Sequence, residues 1–156
     1  MADANNGKVI TLVCERSVDL QDRIDENGCL KEMPGVSVVK FPCSGMIQPL
    51  MVEAALKAGA SGVIICGCQI GDCYYREGNK MIRDRILGER PPGLKKTVDR
   101  RRVVGFWLAK PQVARFLSRA GEFVAQLQQL GPAETAAPKP APKPAAGEKP
   151  PAAESP

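Results

Sequence analysis

In Gly62-Val63-Ile64-Ile65-Cys66-Gly67-Cys68-Gln69-Ile70-Gly71-Asp72-Cys73-Tyr74-Tyr75-Arg76-Glu77-Gly78-Asn79, an apolar run breaks off into a turn that carries two thiols. Val63 to Cys66 is too short for a helix and rich in β-branched side chains, so it predicts a strand. The run has no polar face. That pattern belongs to a strand buried on both sides, as in a parallel sheet between two outer layers.

Moving outward, three more segments read the same way. Residues 9–14 are apolar apart from Thr11, residues 36–41 are β-branched, and residues 103–108 repeat the pattern. Helical patterns lie between and after them. Residues 49–58 are rich in helix formers, and Gly59 is placed to end the helix. Residues 111–130 carry Val113, Phe116, Leu117, Ala120, Phe123, Val124, Leu127 and Leu130 at steps of three and four, which makes one apolar face. Pro111 suits the first turn and Gly131-Pro132 a stop. Residues 19–26 and 80–87 carry shorter helical patterns. Strand and helix therefore alternate, which predicts an α/β, three-layer, flavodoxin-like domain over residues 1–131. Its four-stranded parallel sheet is expected in the order 2-1-3-4. Ligands in such sheets bind beyond the carboxyl ends of the strands, near the switch point between strands 1 and 3.

Residues 132–156 hold 8 prolines in 25 residues and no large apolar side chain. They cannot bury enough surface to offset ordering entropy, which predicts a disordered, partly polyproline-like tail.

The chain has 156 residues, 44% apolar and 25% charged, which suits one globular domain plus that tail. No apolar stretch approaches the ~20 residues of a membrane span. Residues 1–8 show no basic region followed by an apolar one, which predicts no signal peptide. A cytoplasmic location is expected. Histidine is absent, which excludes Ser-His-Asp and Cys-His catalysis and mixed Cys/His zinc sites. No GxxxxGK[ST] or GxGxxG loop and no acid–base pair is present.

Charge is uneven. Residues 1–75 carry a net −3, residues 76–131 a net +8, and residues 132–156 zero. The basic segment includes Arg76, Lys80 and the run Arg100-Arg101-Arg102. Such a patch can bind nucleic acid, a phosphorylated cofactor or an acidic protein surface. Only Tyr74 and Tyr75 are aromatic near it, too few for a base-stacking platform, which argues against nucleic acid.

Six cysteines remain, and in a reducing compartment spaced cysteines serve metal or redox chemistry more often than disulfides. Cys14 ends strand 1, Cys43 follows strand 2, Cys68 ends strand 3 and Cys73 sits in the loop beyond. Neighbouring parallel strands are about 4.8 Å apart, so these thiols can meet at one edge of the sheet. Four convergent thiolates can hold zinc or an iron–sulfur cluster. Gly45, Gly67 and Gly71 would let backbone approach such a group. Cys66 lies inside strand 3 and reads as packing. Cys29, in the Asn27-Gly28-Cys29 turn, reads as incidental.

The quoted stretch resembles the core motif of the delta subunit of methyl-viologen-reducing hydrogenases, where a strand is followed by Gly-Cys, a short loop, Gly-Asp-Cys-His-Tyr and Gly-Asn. Cys43-Ser44-Gly45 resembles that family's second motif, and Ala58-Gly59-Ala60 the segment before its third strand. The likeness covers about residues 8–131. It implies a small iron–sulfur subunit with one [2Fe–2S] cluster on Cys14, Cys43, Cys68 and Cys73. It also implies partners: a heterodisulfide reductase A-like flavoprotein and an electron-donating oxidoreductase of the hydrogenase or formate dehydrogenase type. Two positions depart from the family. Its usual Cys-x-x-Cys after strand 1 reads Cys14-Glu15-Arg16-Ser17 here, and its histidine after the last motif cysteine is Tyr74.

The expected role is thus electron transfer rather than substrate chemistry. A structural zinc-binding adaptor is the alternative, although structural zinc sites usually carry two closely spaced Cys pairs, which this chain lacks. A thiol–disulfide enzyme is disfavoured because no Cys-x-x-Cys is present.

Overall fold

The computed structural model describes residues 8–133. Four strands, β1 (Val9–Cys14), β2 (Val36–Phe41), β3 (Gly62–Gly67) and β4 (Val103–Trp107), form one parallel sheet in the order β2-β1-β3-β4. Three helices accompany them: α1 (Pro49–Lys57), α2 (Gly78–Leu87) and α3 (Val113–Leu130). The expected α/β architecture and strand order are therefore present. The tail, apart from Pro132 and Ala133, lies outside the described residues.

The apolar strands place a core on each face of the sheet. On one face Val9, Val13, Ile64, Cys66 and Phe106 pack with Phe116, Ala120, Phe123 and Leu127 of α3. On the other Leu12, Val63 and Ile65 pack with Val52 of α1 and Ile82 of α2. All six residues of β3 are buried, as its unbroken apolar run requires. Burying each large aliphatic or aromatic side chain contributes about 2 kcal/mol, so these two layers hold the strand ends in place.

One expected helix is absent. The pattern over residues 19–26 yields only a single 3-10 turn, Gln21–Arg23. Local side chains capture the backbone there instead. Asp19 accepts the Gln21 N–H, and Asp25 accepts the N–H groups of Asn27 and Cys29. Such bonds compete directly with helical ones. The segment closes through antiparallel bridges, Ile24 with Leu30 and Cys29 with Ser37, and buries Val18, Leu20 and Leu30 beside α3. An irregular connection thus completes the third layer.

The helix ends follow local chemistry. Pro49 opens α1, and Gly59 follows it with φ of 101°. At the end of α2, Gly88 takes the left-handed conformation while its N–H and that of Glu89 close back on Arg85 and Asp84. The helix begins at Gly78, two residues before the expected start.

Candidate metal centre

The strand register brings the carboxyl ends together. Cys14 pairs with Phe41, and Val13 pairs with Cys66, so Cys14 is level with the end of β3. Cys68 follows directly, and the two sulfurs lie 3.7 Å apart. Two thiolates on one tetrahedral metal with bonds of about 2.3 Å sit about 3.8 Å apart. The pair thus already has the spacing of two ligands on one ion.

Cys43 and Cys73 form a second pair against the start of α2. A Cβ placed on Gly78 would overlap the Cys43 sulfur and stand 3.4 Å from that of Cys73. Gly78 is therefore a cradle that only glycine can form. It also touches Gly45, whose own Cβ would come within 2.8 Å of the Gly78 Cα. The Ser44–Met46 3-10 turn rests there on α2, and its cap, Cys43, accepts the Gly45 N–H at 3.4 Å. Of the glycines expected to approach the site, Gly45 and Gly67 are tightly enclosed, whereas Gly71 has open space where a side chain would go.

Asn79 locks the loop between the pairs. It is wholly buried, and its amide donates to the carbonyls of Cys68 and Gln69 at 2.9 and 3.0 Å. Its oxygen accepts the N–H of Lys80. Gly78 and Asn79 are the site residues that spacing arguments overlooked. Their signal was the Gly-Asn step ahead of a helical pattern.

The thiols sense one another electrostatically. Burial pushes Cys68 up to about 12, and the neighbouring sulfurs of Cys14, Cys73 and Cys43 add to the rise. Burial also raises Cys43; the Gly45 N–H works against it, and Cys73 and Cys14 reinforce it. Cys73 moves the other way. Burial opposes the change, but the N–H groups of Asn79, Tyr75 and Gly78, with the Cys43 thiol, together hold it below the ordinary thiol value. Gathering all four as thiolates in this space calls for a compensating cation. Among the described residues, no three His, Cys, Asp or Glu side chains converge as the ligands of one ion. The four thiols stand as two pairs, Cys14 with Cys68 and Cys43 with Cys73.

The other two cysteines stay apart. Cys66 is buried in the core beneath α3, and burial pushes it up to about 12 against the Ser17 hydroxyl. Ser17, at the position where a second strand-1 thiol was missing, donates to the Cys14 carbonyl at 2.6 Å and lies 3.8 Å from the Cys66 sulfur. That position therefore faces Cys66. Cys29 is half-buried, and its backbone bridges Ser37, near the amino end of β2.

The basic run is also far from the thiols. Arg100–Arg102 precedes β4, at the opposite edge of the parallel sheet. Arg102 is buried and donates to the carbonyls of Ser61, Gly131 and Pro132, while Arg101 pairs with Asp99. Of the basic segment, Arg76 and Lys80 stand beside the Cys73 loop at the start of α2, whereas the arginine run lies at the other pole, and its Arg102 is structural. No described helix is long and apolar enough to cross a membrane.

The model of the family described as methyl-viologen-reducing hydrogenase, delta subunit, matches residues 6–131. The iron-sulfur D subunit of the F420-non-reducing hydrogenase of Archaeoglobus profundus is 38% identical over 101 residues, 64% of this chain and 72% of that protein. The A subunit of the ferredoxin/F420H2-dependent CoB-CoM heterodisulfide reductase of Methanosarcina acetivorans is 35% identical over 101 residues, which are 62% of this chain but 12% of that longer one. The A subunit of the ferredoxin:CoB-CoM heterodisulfide reductase of Methanosarcina mazei is 32% identical over 97 residues, 62% of this chain and again 12% of that protein's length.

Proposed function

Because this chain belongs to the methyl-viologen-reducing hydrogenase delta-subunit family, we propose that it is an electron-transfer subunit with one [2Fe–2S] cluster held by Cys14, Cys43, Cys68 and Cys73. The observation that carries this reading is the pairing of the thiols, Cys14 with Cys68 and Cys43 with Cys73, at one sheet edge. Each pair supplies the two protein ligands that one iron of such a cluster takes. Bound there, the cluster would accept and release one electron at a time.

The chain's own residues have definite tasks. Gly78 and Gly45 clear the space between Cys43 and Cys73. The N–H groups of Gly45, Tyr75, Gly78 and Asn79 point at those sulfurs and stabilise negative charge on them, a known lever on the potentials of such centres. Asn79 fixes the carbonyls of the loop between Cys68 and Cys73. The partners are an oxidoreductase that donates electrons, of hydrogenase or formate dehydrogenase type, and a heterodisulfide reductase A-like flavoprotein. The names of the relatives support a hydrogenase and a heterodisulfide reductase as these two classes.

The zinc adaptor is the weaker reading, since structural zinc sites usually carry two closely spaced Cys pairs in sequence, which this chain lacks. A visible spectrum of anaerobically purified protein tests the proposal. A brown chromophore that bleaches with dithionite is expected. A colourless protein that contains zinc, or one free of metal after anaerobic purification, would overturn it.

A further inference from the structure

Eight large apolar side chains are exposed among the described residues, and six of them lie in the segments that carry or follow Cys43, Cys68 and Cys73. Met46, Leu50 and Met51 follow Cys43 in the 3-10 turn and α1; Ile70, Tyr74 and Tyr75 border Cys68 and Cys73. Leu50 is 67% exposed and Tyr74 68%. Isolated surface apolars are ordinary, but a collar of them around a chemically loaded edge marks an interaction surface. Met and Tyr are also side chains that interface cores favour.

The aromatic part is ordered before any partner arrives. The Arg16 guanidinium lies 4.0 Å from the centre of the Tyr74 ring, and Tyr75 meets Tyr74 edge-on at 5.0 Å. Arg76 closes the turn behind them with a φ of 74°, unusual for a residue with a side chain. Pre-ordered side chains lose less entropy on binding. The exposed charges nearby, Asp19, Lys40 and Lys110 in the pocket beside Cys14 together with Glu15, Arg16, Asp72, Arg76 and Glu77, are of mixed sign and balance. They offer little pull to an acidic surface, so the matching face is apolar.

We propose that this collar is the docking surface for the heterodisulfide reductase A-type flavoprotein, which meets it with an apolar, weakly charged patch. The proposal rests on the electron-transfer reading above. Two observations favour this occupant. In the two Methanosarcina relatives the matching stretch lies within the A subunit of a heterodisulfide reductase, so the rest of that longer chain is its tethered neighbour. The collar residues also lie in the segments that carry or follow the thiols, so a partner seated on them would stand next to the redox group.

The test is calorimetric titration of the anaerobically purified full chain with the purified heterodisulfide reductase A-type flavoprotein of the same genome. Leu50→Ser and Tyr74→Ser should each weaken binding about tenfold or more, as central anchors do. Val39→Ser and Leu87→Ser, exposed apolar positions outside the collar, should stay within about twofold. Affinity should change little with salt, and thermal melting should be unaltered in all four variants. Equal binding by all four would overturn the collar. So would steep salt dependence with loss on reversal of Arg100 and Arg101, which would move docking to the basic pole. A dimer in light scattering that Tyr74→Ser dissolves would overturn it in favour of a second copy. No binding by the unaltered chain would overturn the partner reading itself, whereas binding indifferent to collar substitutions overturns only the surface.

Discussion

Cys66 and Cys68 are two residues apart, yet they do different work. Cys66 lies within β3 and points into the core under α3, while Cys68 has left the strand and meets Cys14. Replacing Cys14, Cys43, Cys68 or Cys73 by Ser should therefore bleach the chromophore, because a missing thiolate leaves the centre under-coordinated. Cys29→Ser should leave the spectrum unchanged, and Cys66→Ala should cost about 1 kcal/mol in thermal or chemical unfolding. If Cys66→Ala bleached the protein and Cys14→Ser did not, the ligand set would be wrong. In metal-free protein the thiols should also differ in reactivity. The thiolate is the nucleophile. Cys73, held below the ordinary thiol value, should be alkylated by iodoacetamide well ahead of Cys68 and Cys66, both pushed up to about 12. Mass-spectrometric mapping at neutral pH reads the order, and early labelling of Cys68 would contradict it. Three strand-end thiols were legible because strand length and apolar runs fix where a strand stops. Their division into pairs was not, since it depends on how Gly45 and Gly78 let two backbones touch.

At the level of the elements, the amino end of α2 sets the site. Its first two residues are not helix signals by propensity: Gly78 is a poor helix former, and the helical pattern becomes readable only from Lys80. The structure uses them for clearance and for clamping. Gly78→Ala should leave the fold intact, helped by the better helix propensity of alanine, but lower the iron content because its Cβ displaces the Cys43 sulfur. Iron analysis beside circular dichroism separates the two effects; full iron loading would contradict the cradle. Asn79→Ala strips the carbonyls of Cys68 and Gln69 of their donor, the first of them buried, and should cost about 2 kcal/mol in unfolding free energy. The connection over residues 19–26 carried a helical pattern that the structure overrules. Asp19 and Asp25 bond the backbone locally, and tertiary burial of Val18, Leu20 and Leu30 rewards the irregular path.

For the whole molecule, the alternation of apolar runs and amphipathic segments was enough to order the sheet, since short parallel crossovers leave few alternatives. Net charge by segment does not place that charge on the molecule, because a run of arginines in sequence says nothing about which pole of the sheet it occupies. Arg102 also ties the end of the described chain to the sheet through Gly131 and Pro132. Removing residues 134–156 should therefore leave the melting temperature and metal content unchanged, whereas a cut before Gly131 should lower stability by leaving the buried Arg102 guanidinium under-bonded. A large fall in melting temperature on the shorter truncation would show that the tail packs on the domain. The central claim, a [2Fe–2S] centre on two thiol pairs, is tested most directly by iron and acid-labile sulfide content of the anaerobically purified chain. The account predicts about two of each per chain; four irons per chain, or zinc without sulfide, would contradict it.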